Sequence, residues 1–186
     1  MRALLLCLFL ALPVHAVKHP DAKPLAQAQR AVDQQRWDEA QRRLLPLAKK
    51  GNPVAQWALA RLLELPTPVR DLAQALHWYR ELAEAGAPSA MEAVGLAHYL
   101  GRGTAEDPAQ AAEWFRRAGN AGEVGAQYIL ATMYEKGHGV AQDLRLARSW
   151  YERAAAQGDP AARAKLKVLP EEALQPPLGT GSTPAV

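Results

Sequence analysis

Residues able to do chemistry are sparse in this chain, and their spacing decides what each could do. Beyond the first sixteen positions the histidines are His19, His77, His98 and His138. A zinc site built on a helix needs two of them one turn apart, and no pair has the i, i+4 spacing. His77 precedes Trp78 and reads as exposed, His138 lies between two loop glycines, and His98 falls at a helical packing position. Asp71, Asp107 and Asp143 could supply a carboxylate cluster. Each, however, stands at the same place just before an apolar helical pattern. There a carboxylate accepts the unpaired amide protons of the first turn, so capping accounts for all three. An acid–base pair would have to be assembled from Glu92 and Glu135, and the sequence supplies no geometry for it. Gly101-x-Gly103 and Gly137-x-Gly139 follow helical patterns and lack the Lys-Ser/Thr ending of a phosphate loop. Cys7 is the one cysteine and lies in the amino-terminal apolar run. The rest of the chain therefore offers no thiol nucleophile, disulfide or sulfur-ligated zinc. No catalytic residue, cofactor or metal is assigned.

The elements that must position these residues repeat. Residues 126–158 place Ala126, Leu130, Ala131 and Tyr134 at spacings of three and four, one face of a helix. Gly137-His138-Gly139 stops that helix. Asp143 caps a second one, whose apolar face is Ala147, Trp150, Tyr151 and Ala154 and whose end is Gly158. The pattern recurs 36 residues earlier with Ala90, Val94, Gly95, His98, Asp107, Ala111, Trp114, Phe115, Ala118 and Gly122. A further 35 residues back it returns as Ala55, Leu59, Ala60, Leu63, Asp71, Ala75, Trp78, Tyr79, Leu82 and Gly86. In that copy Pro66-Thr67-Pro68 replaces the glycine turn and is one residue shorter. The junctions Gly51–Ala55, Gly86–Ala90, Gly122–Ala126 and Gly158–Ala162 all have the same spacing. An ordinary alanine-rich bundle would not keep that register, so internal repetition governs the fold. One hairpin cannot bury both of its faces, so the repeats must stack, with Trp78, Trp114 and Trp150 covered by neighbours.

The flanks differ in composition. Met1-Arg2, the apolar run Ala3 to Leu12 and Val14-His15-Ala16 resemble a secretory signal, cleaved after Ala16. Ten apolar residues are few for a membrane-spanning anchor, the competing reading. Export to the periplasm or secretion is expected. Residues 17–23 read as an irregular leader, 24–168 as a helical repeat domain, and 169–186, with its prolines and no aromatic residue, as a disordered tail. Within the repeat domain the pairs fall at about 24–51, 53–86, 88–122 and 124–158, followed by a polar cap at 160–168. Net charge is +3, and +2 without Arg2, too mild to argue for nucleic acid. Residues 17–52 carry eight Lys/Arg against four Asp/Glu, which leaves room for weak association with an anionic membrane surface.

The motif A-x-x-x-L-A-x-x-Y-x-x-G-x-G-V-x-x-D-x-x-x-A-x-x-W-Y-x-x-A-A-x-x-G over residues 126–158 resembles the Sel-one-like repeat, a relative of the tetratricopeptide repeat. The resemblance covers residues 53–158 well and 24–52 more loosely. It implies an all-α, right-handed α/α solenoid of antiparallel helix pairs, about four pairs plus a carboxy-terminal capping helix. It also implies an adaptor whose first helices line a concave face and hold a protein or peptide partner, without catalysis. Opposite the packing positions Leu59, Val94 and Leu130, that face carries Trp57, Arg61 and Glu64; Glu92, Leu96 and Tyr99; and Tyr128, Thr132 and Glu135. Aromatic and arginine anchors among charges are the composition of binding hot spots. Trp57 and Tyr128, with Tyr99 between them, lead this set, although such rings can equally cover an adjacent helix. A periplasmic enzyme acting on cell-wall or antibiotic substrates, or a lipid- or glycan-associated adaptor, are the competing readings.

Overall fold

The structure, a computed structural model, describes residues 21–170. The expected signal peptide at 1–16, most of the leader and the tail beyond 170 lie outside the described residues. Among the described residues the chain is all helical: α1 (Ala22–Asp33), α2 (Trp37–Lys49), α3 (Pro53–Glu64), α4 (Leu72–Glu84), α5 (Pro88–Leu100), α6 (Pro108–Asn120), α7 (Val124–Lys136), α8 (Leu144–Ala156) and α9 (Pro160–Val168). The architecture is that of an α/α solenoid of helix pairs joined by short turns. One expected boundary is corrected. Ala22 and Lys23, placed in the irregular leader, already belong to α1. Pro24 then sits in the first turn, where a missing amide proton costs no intrahelical bond.

The capping logic read from the sequence is realised atom by atom. Asp71, Asp107, Asp143 and Asp159 accept the amide protons of Gln74, Gln110, Leu146 and Ala162 at 2.9, 2.9, 3.0 and 2.6 Å. Asn52 does the same for Ala55. Asp107 and Asp159 are followed by proline at the first helical position, where no amide proton is needed.

Two compact units share the described residues, divided between Glu106 and Asp107. In the first, α1 to α5 pack in succession, each on the next. Its core is built from Ala28, Ala31, Val32, Leu44, Leu59, Leu62, Leu63, Tyr79 and Val94. In the second, α6 to α9 likewise pack in succession around Phe115, Leu130, Met133 and Tyr151. Buried amides tie the start of a first helix to the end of the preceding second helix. Gln56 Nε2 donates to the Ala48 carbonyl at 3.3 Å, and Gln127 Nε2 to the Gly119 carbonyl at 2.8 Å. Trp78 and Trp150 are buried as the repeat pattern requires. Trp114 departs from it: the ring is half-buried, and Arg117 stacks over it at 4.2 Å. Arg153 covers Trp150 in the same way at 4.3 Å. A guanidinium stem supplies apolar cover while its charge stays wet.

The second glycine of each Gly-x-Gly turn has a steric duty. At Gly103 a Cβ would lie 2.2 Å from the Leu72 carbonyl oxygen, and at Gly139 it would lie 2.3 Å from that of Pro108. The turn of one repeat therefore rests backbone-to-backbone on the first residue of the preceding second helix. The register of Gly103 in the first copy is Pro68, which cannot approach so closely. A polar cleft of about 450 Å³ opens there between Pro68 and the turn preceding α2, lined by Arg36, Trp37, Asp38 and Arg42.

Candidate functional site

The expected surface residues on α3 are organised by a residue of α4. The Tyr79 ring meets the Trp57 ring edge-on, with centroids 5.3 Å apart. The Tyr79 hydroxyl donates to Glu64 Oε2 at 2.7 Å. Burial first, and the adjoining Glu64 carboxylate second, push the Tyr79 phenol far up, so it remains a donor across the physiological range. Arg61 approaches Glu64 only to 3.8 Å and is well exposed. Trp57 is therefore half-buried, held by packing on Tyr79, and does not stand free as an anchor. One edge of it opens on an apolar cleft of about 100 Å³ formed with Pro53, Leu82, Ala87 and Pro88.

The second unit repeats this arrangement. The Tyr128 ring packs on Tyr151 at 5.5 Å. The Tyr151 hydroxyl donates to Glu135 Oε2 at 2.6 Å and lies 2.9 Å from Thr132 Oγ1. Here the carboxylate also receives a lysine: Lys165 Nζ, from α9, lies 2.8 and 3.0 Å from its two oxygens. Burial alone would raise the Glu135 carboxyl, yet the hydrogen bonds from Lys165 and Tyr151 hold it below the usual glutamate range. Tyr128, Thr132 and Glu135 are thus committed to joining α7, α8 and α9. A carboxylate held ionised by a lysine and a tyrosine is a poor general acid, which removes the ground for giving Glu135 that role.

The lowered Glu135 carboxyl fixes a pH dependence. The folded chain takes up this proton less readily than the unfolded one. Its stabilisation is therefore complete above the unfolded value, about 4.3, and disappears as the pH falls through the lower folded value. Lys165→Ala should lower the melting temperature of the second unit at pH 7 by a few degrees, a loss of about 1 kcal/mol for a partly exposed pair. The gap between variant and parent should begin to narrow once the pH falls below the unfolded value and keep narrowing as Glu135 takes up its proton. A gap that stays constant from pH 7 to pH 3 would contradict the assignment.

Glu92, Leu96 and Tyr99 lie half-buried on α5, at the positions that Trp57, Arg61 and Glu64 hold on α3. His98 is 3% exposed and faces Arg80 at 3.4 Å, standing where Tyr134 meets Arg116 at 3.1 Å in the second unit. It is a packing residue. Among the described residues no group of three or more His, Cys, Asp or Glu is placed to hold a metal ion. No described helix is long and apolar enough to cross a membrane. The basic excess around α2 is partly spent internally, since Arg36 and Arg43 both turn to Glu39. The residues that sequence reasoning missed are Tyr79, Tyr151 and Lys165. The first two read as apolar core and the third as polar cap.

Comparisons with known proteins agree with the repeat architecture. The Sel1 repeat matches residues 53–86, 88–123 and 124–159. Among solved structures, c5321, a protective antigen of uropathogenic Escherichia coli strains displaying an SLR fold, is 29% identical with a TM-score of 0.69. The match covers 77% of this chain but 32% of that one, so this chain spans about a third of that protein's length. A Sel1 repeat protein from Oxalobacter formigenes is 40% identical, TM-score 0.60, over 67% of this chain and 94% of its own. Helicobacter pylori cysteine rich protein B, at 15% identity and a TM-score of 0.56, covers 68% of this chain and 94% of its own and shares the fold. No match was found among curated proteins. With three consecutive repeats matched over more than half of its residues, the chain belongs to the Sel1 repeat family.

Proposed function

We propose that this chain is an exported interaction module that holds a protein or peptide partner and carries no chemistry of its own. Sel1 repeat proteins are typically scaffolds for protein–protein interaction, and the match over three successive repeats is the observation that carries the reading. The aspartates that could have formed a reactive cluster are occupied in capping. The likeness to a bacterial protective antigen supports the exported part of the proposal. The nine first-helix residues remain the proposed binding positions, taken unit by unit, with the weight moved to α3. Tyr128, Thr132 and Glu135 are engaged by Tyr151 and Lys165, whereas on α3 Trp57 borders an apolar cleft and Arg61 is well exposed.

The test is a pull-down from periplasmic extract with the purified chain lacking residues 1–16. The wild type should retain a partner that Trp57→Ala plus Tyr128→Ala loses. Melting curves must accompany the variant, because both rings pack on second-helix tyrosines. Retention of nothing by the wild type, or undiminished retention by a folded variant, would sink the proposal.

A further inference from the structure

Two carboxylates in this chain occupy the same place in the repeat. Glu64 is the last residue of α3 and Glu135 the last but one of α7, each the twelfth residue of a helix that begins at Pro53 or Val124. Both accept a tyrosine hydroxyl from the following helix, at 2.7 and 2.6 Å, and both tyrosine rings pack against a first-helix aromatic ring. They differ in what the next first helix presents. For Glu135 it is Lys165, the sixth residue of α9, whose ammonium bridges both carboxylate oxygens. For Glu64 the sixth residue of the next first helix, α5, is Ala93. Its methyl group cannot reach a carboxylate. Arg61 stands 3.8 Å away and leaves the Glu64 side chain 30% exposed. A second cation beside such a carboxylate is already accommodated at Glu135, where Lys136 acts electrostatically alongside Lys165.

We infer that the Glu64–Tyr79 pair is the receptor for a lysine side chain of the partner, entering where Lys165 enters in the other unit. This rests on the reading of the chain as an interaction module and names the chemistry its partner must present. The apolar cleft beside Trp57 adds a second requirement. Trp57 and Glu64 are seven residues apart on α3, roughly 10 Å at 1.5 Å per residue. A peptide in the polyproline II conformation covers that span in about three residues at 3.1 Å each and turns the same face to the surface every third residue. The partner segment therefore carries an aliphatic residue for the cleft and a lysine three positions away for the carboxylate. Arginine is disfavoured, because the template at Glu135 is a compact ammonium bridging both oxygens of a carboxylate that also accepts a tyrosine hydroxyl.

The probe is the capped peptide acetyl-Leu-Ala-Ala-Lys-Ala-amide, titrated into isotope-labelled full chain and followed by amide and indole NMR shifts. Shifts are expected on α3 to α5, with the Trp57 indole among them. Acetylating the peptide's lysine, or making Glu64→Gln in the protein, should weaken binding about tenfold, the lower end for a lost charge-assisted hydrogen bond. Ala93→Lys is the second variant. It places an ammonium in the register of Lys165, should raise the melting temperature, and should block the peptide. Equal binding by Glu64→Gln and wild type, indifference to lysine acetylation, or no shifts at millimolar peptide would each overturn the inference. If Glu64→Gln and Ala93→Lys still retain the pull-down partner as wild type does, the lysine site falls while the interaction module stands. If wild type retains no partner, the module itself falls.

Discussion

Gly139→Ala is expected to cost about 3 kcal/mol, and Gly103→Ala about as much, although each adds a single methyl group. Two penalties combine. Both glycines have left-handed backbone angles, φ +71° and +75°, which an alanine adopts at a cost of about 1–2 kcal/mol. The new Cβ would also lie 2.3 Å from the Pro108 carbonyl oxygen or 2.2 Å from that of Leu72. Those obstacles are backbone and cannot swing aside, so the turn must lift off the preceding helix. Overpacking of this kind costs a further 1–3 kcal/mol or so. Gly86 separates the two effects. Its φ is +94°, and nothing lies within 4 Å of the place a methyl group would take. Gly86→Ala should therefore lose only the conformational part. At roughly 2–4 °C per kcal/mol for a chain of this size, melting should fall about 6–12 °C for Gly139→Ala and about a third to two-thirds of that for Gly86→Ala. Equal losses in the two variants would show that the close approach carries no energy.

These glycines also mark where the sequence stopped being informative. Local signals located the repeat helices, their aspartate caps and the buried Trp78 and Trp150, because a 3.6-residue apolar stripe and a capping side chain are written within one helix. Gly-x-Gly read as a helix stop, and its first glycine is one: Gly101 and Gly137 are the left-handed residues that end α5 and α7. The second glycine answers to a carbonyl more than thirty residues away, and no local pattern encodes that. The same limit applied to the surface. Tyr79 and Tyr151 were assigned to the core by their spacing, and they are buried. What spacing could not show is that each hydroxyl faces the carboxylate that ends the helix before it. A signal was nevertheless present. Glu64 and Tyr79 recur together as Glu135 and Tyr151, and where the middle copy has Tyr99 in place of the acid it has Phe115 in place of the tyrosine. Acid and hydroxyl come and go as a pair. Lys165 was hidden for another reason: helix caps are expected to be polar, so one more lysine there drew no notice.

That pairing makes Tyr151 the most consequential single side chain of the second unit. The ring is fully buried between α7 and α8, and its hydroxyl joins Glu135, Thr132 and, through Glu135, Lys165 of α9. Tyr151→Ala should cost about 3–5 kcal/mol, the range for emptying a buried aromatic site. The loss should reach α9, because Glu135 is left with its lysine alone and the wall that positions it is gone. Tyr151→Phe isolates the hydroxyl. It keeps the ring and leaves a partly buried carboxylate short of one donor, for about 1–2 kcal/mol. The middle copy indicates what should restore that loss. Phe115 is tolerated at this register in a repeat that has no acid at the Glu135 position. Once Glu135 is alanine, Tyr151→Phe should therefore cost little more, because the carboxylate that needed the hydroxyl is no longer there. A double-mutant cycle by urea denaturation at pH 7 should return a coupling of about 1 kcal/mol between the two positions. Towards pH 3, as Glu135 takes up its proton, the same cycle should shrink, because its strength depends on the carboxylate being ionised. Strict additivity at pH 7 would mean that the hydroxyl and the carboxylate are neighbours without being partners. The shared architecture of the two repeats would then rest on ring packing alone.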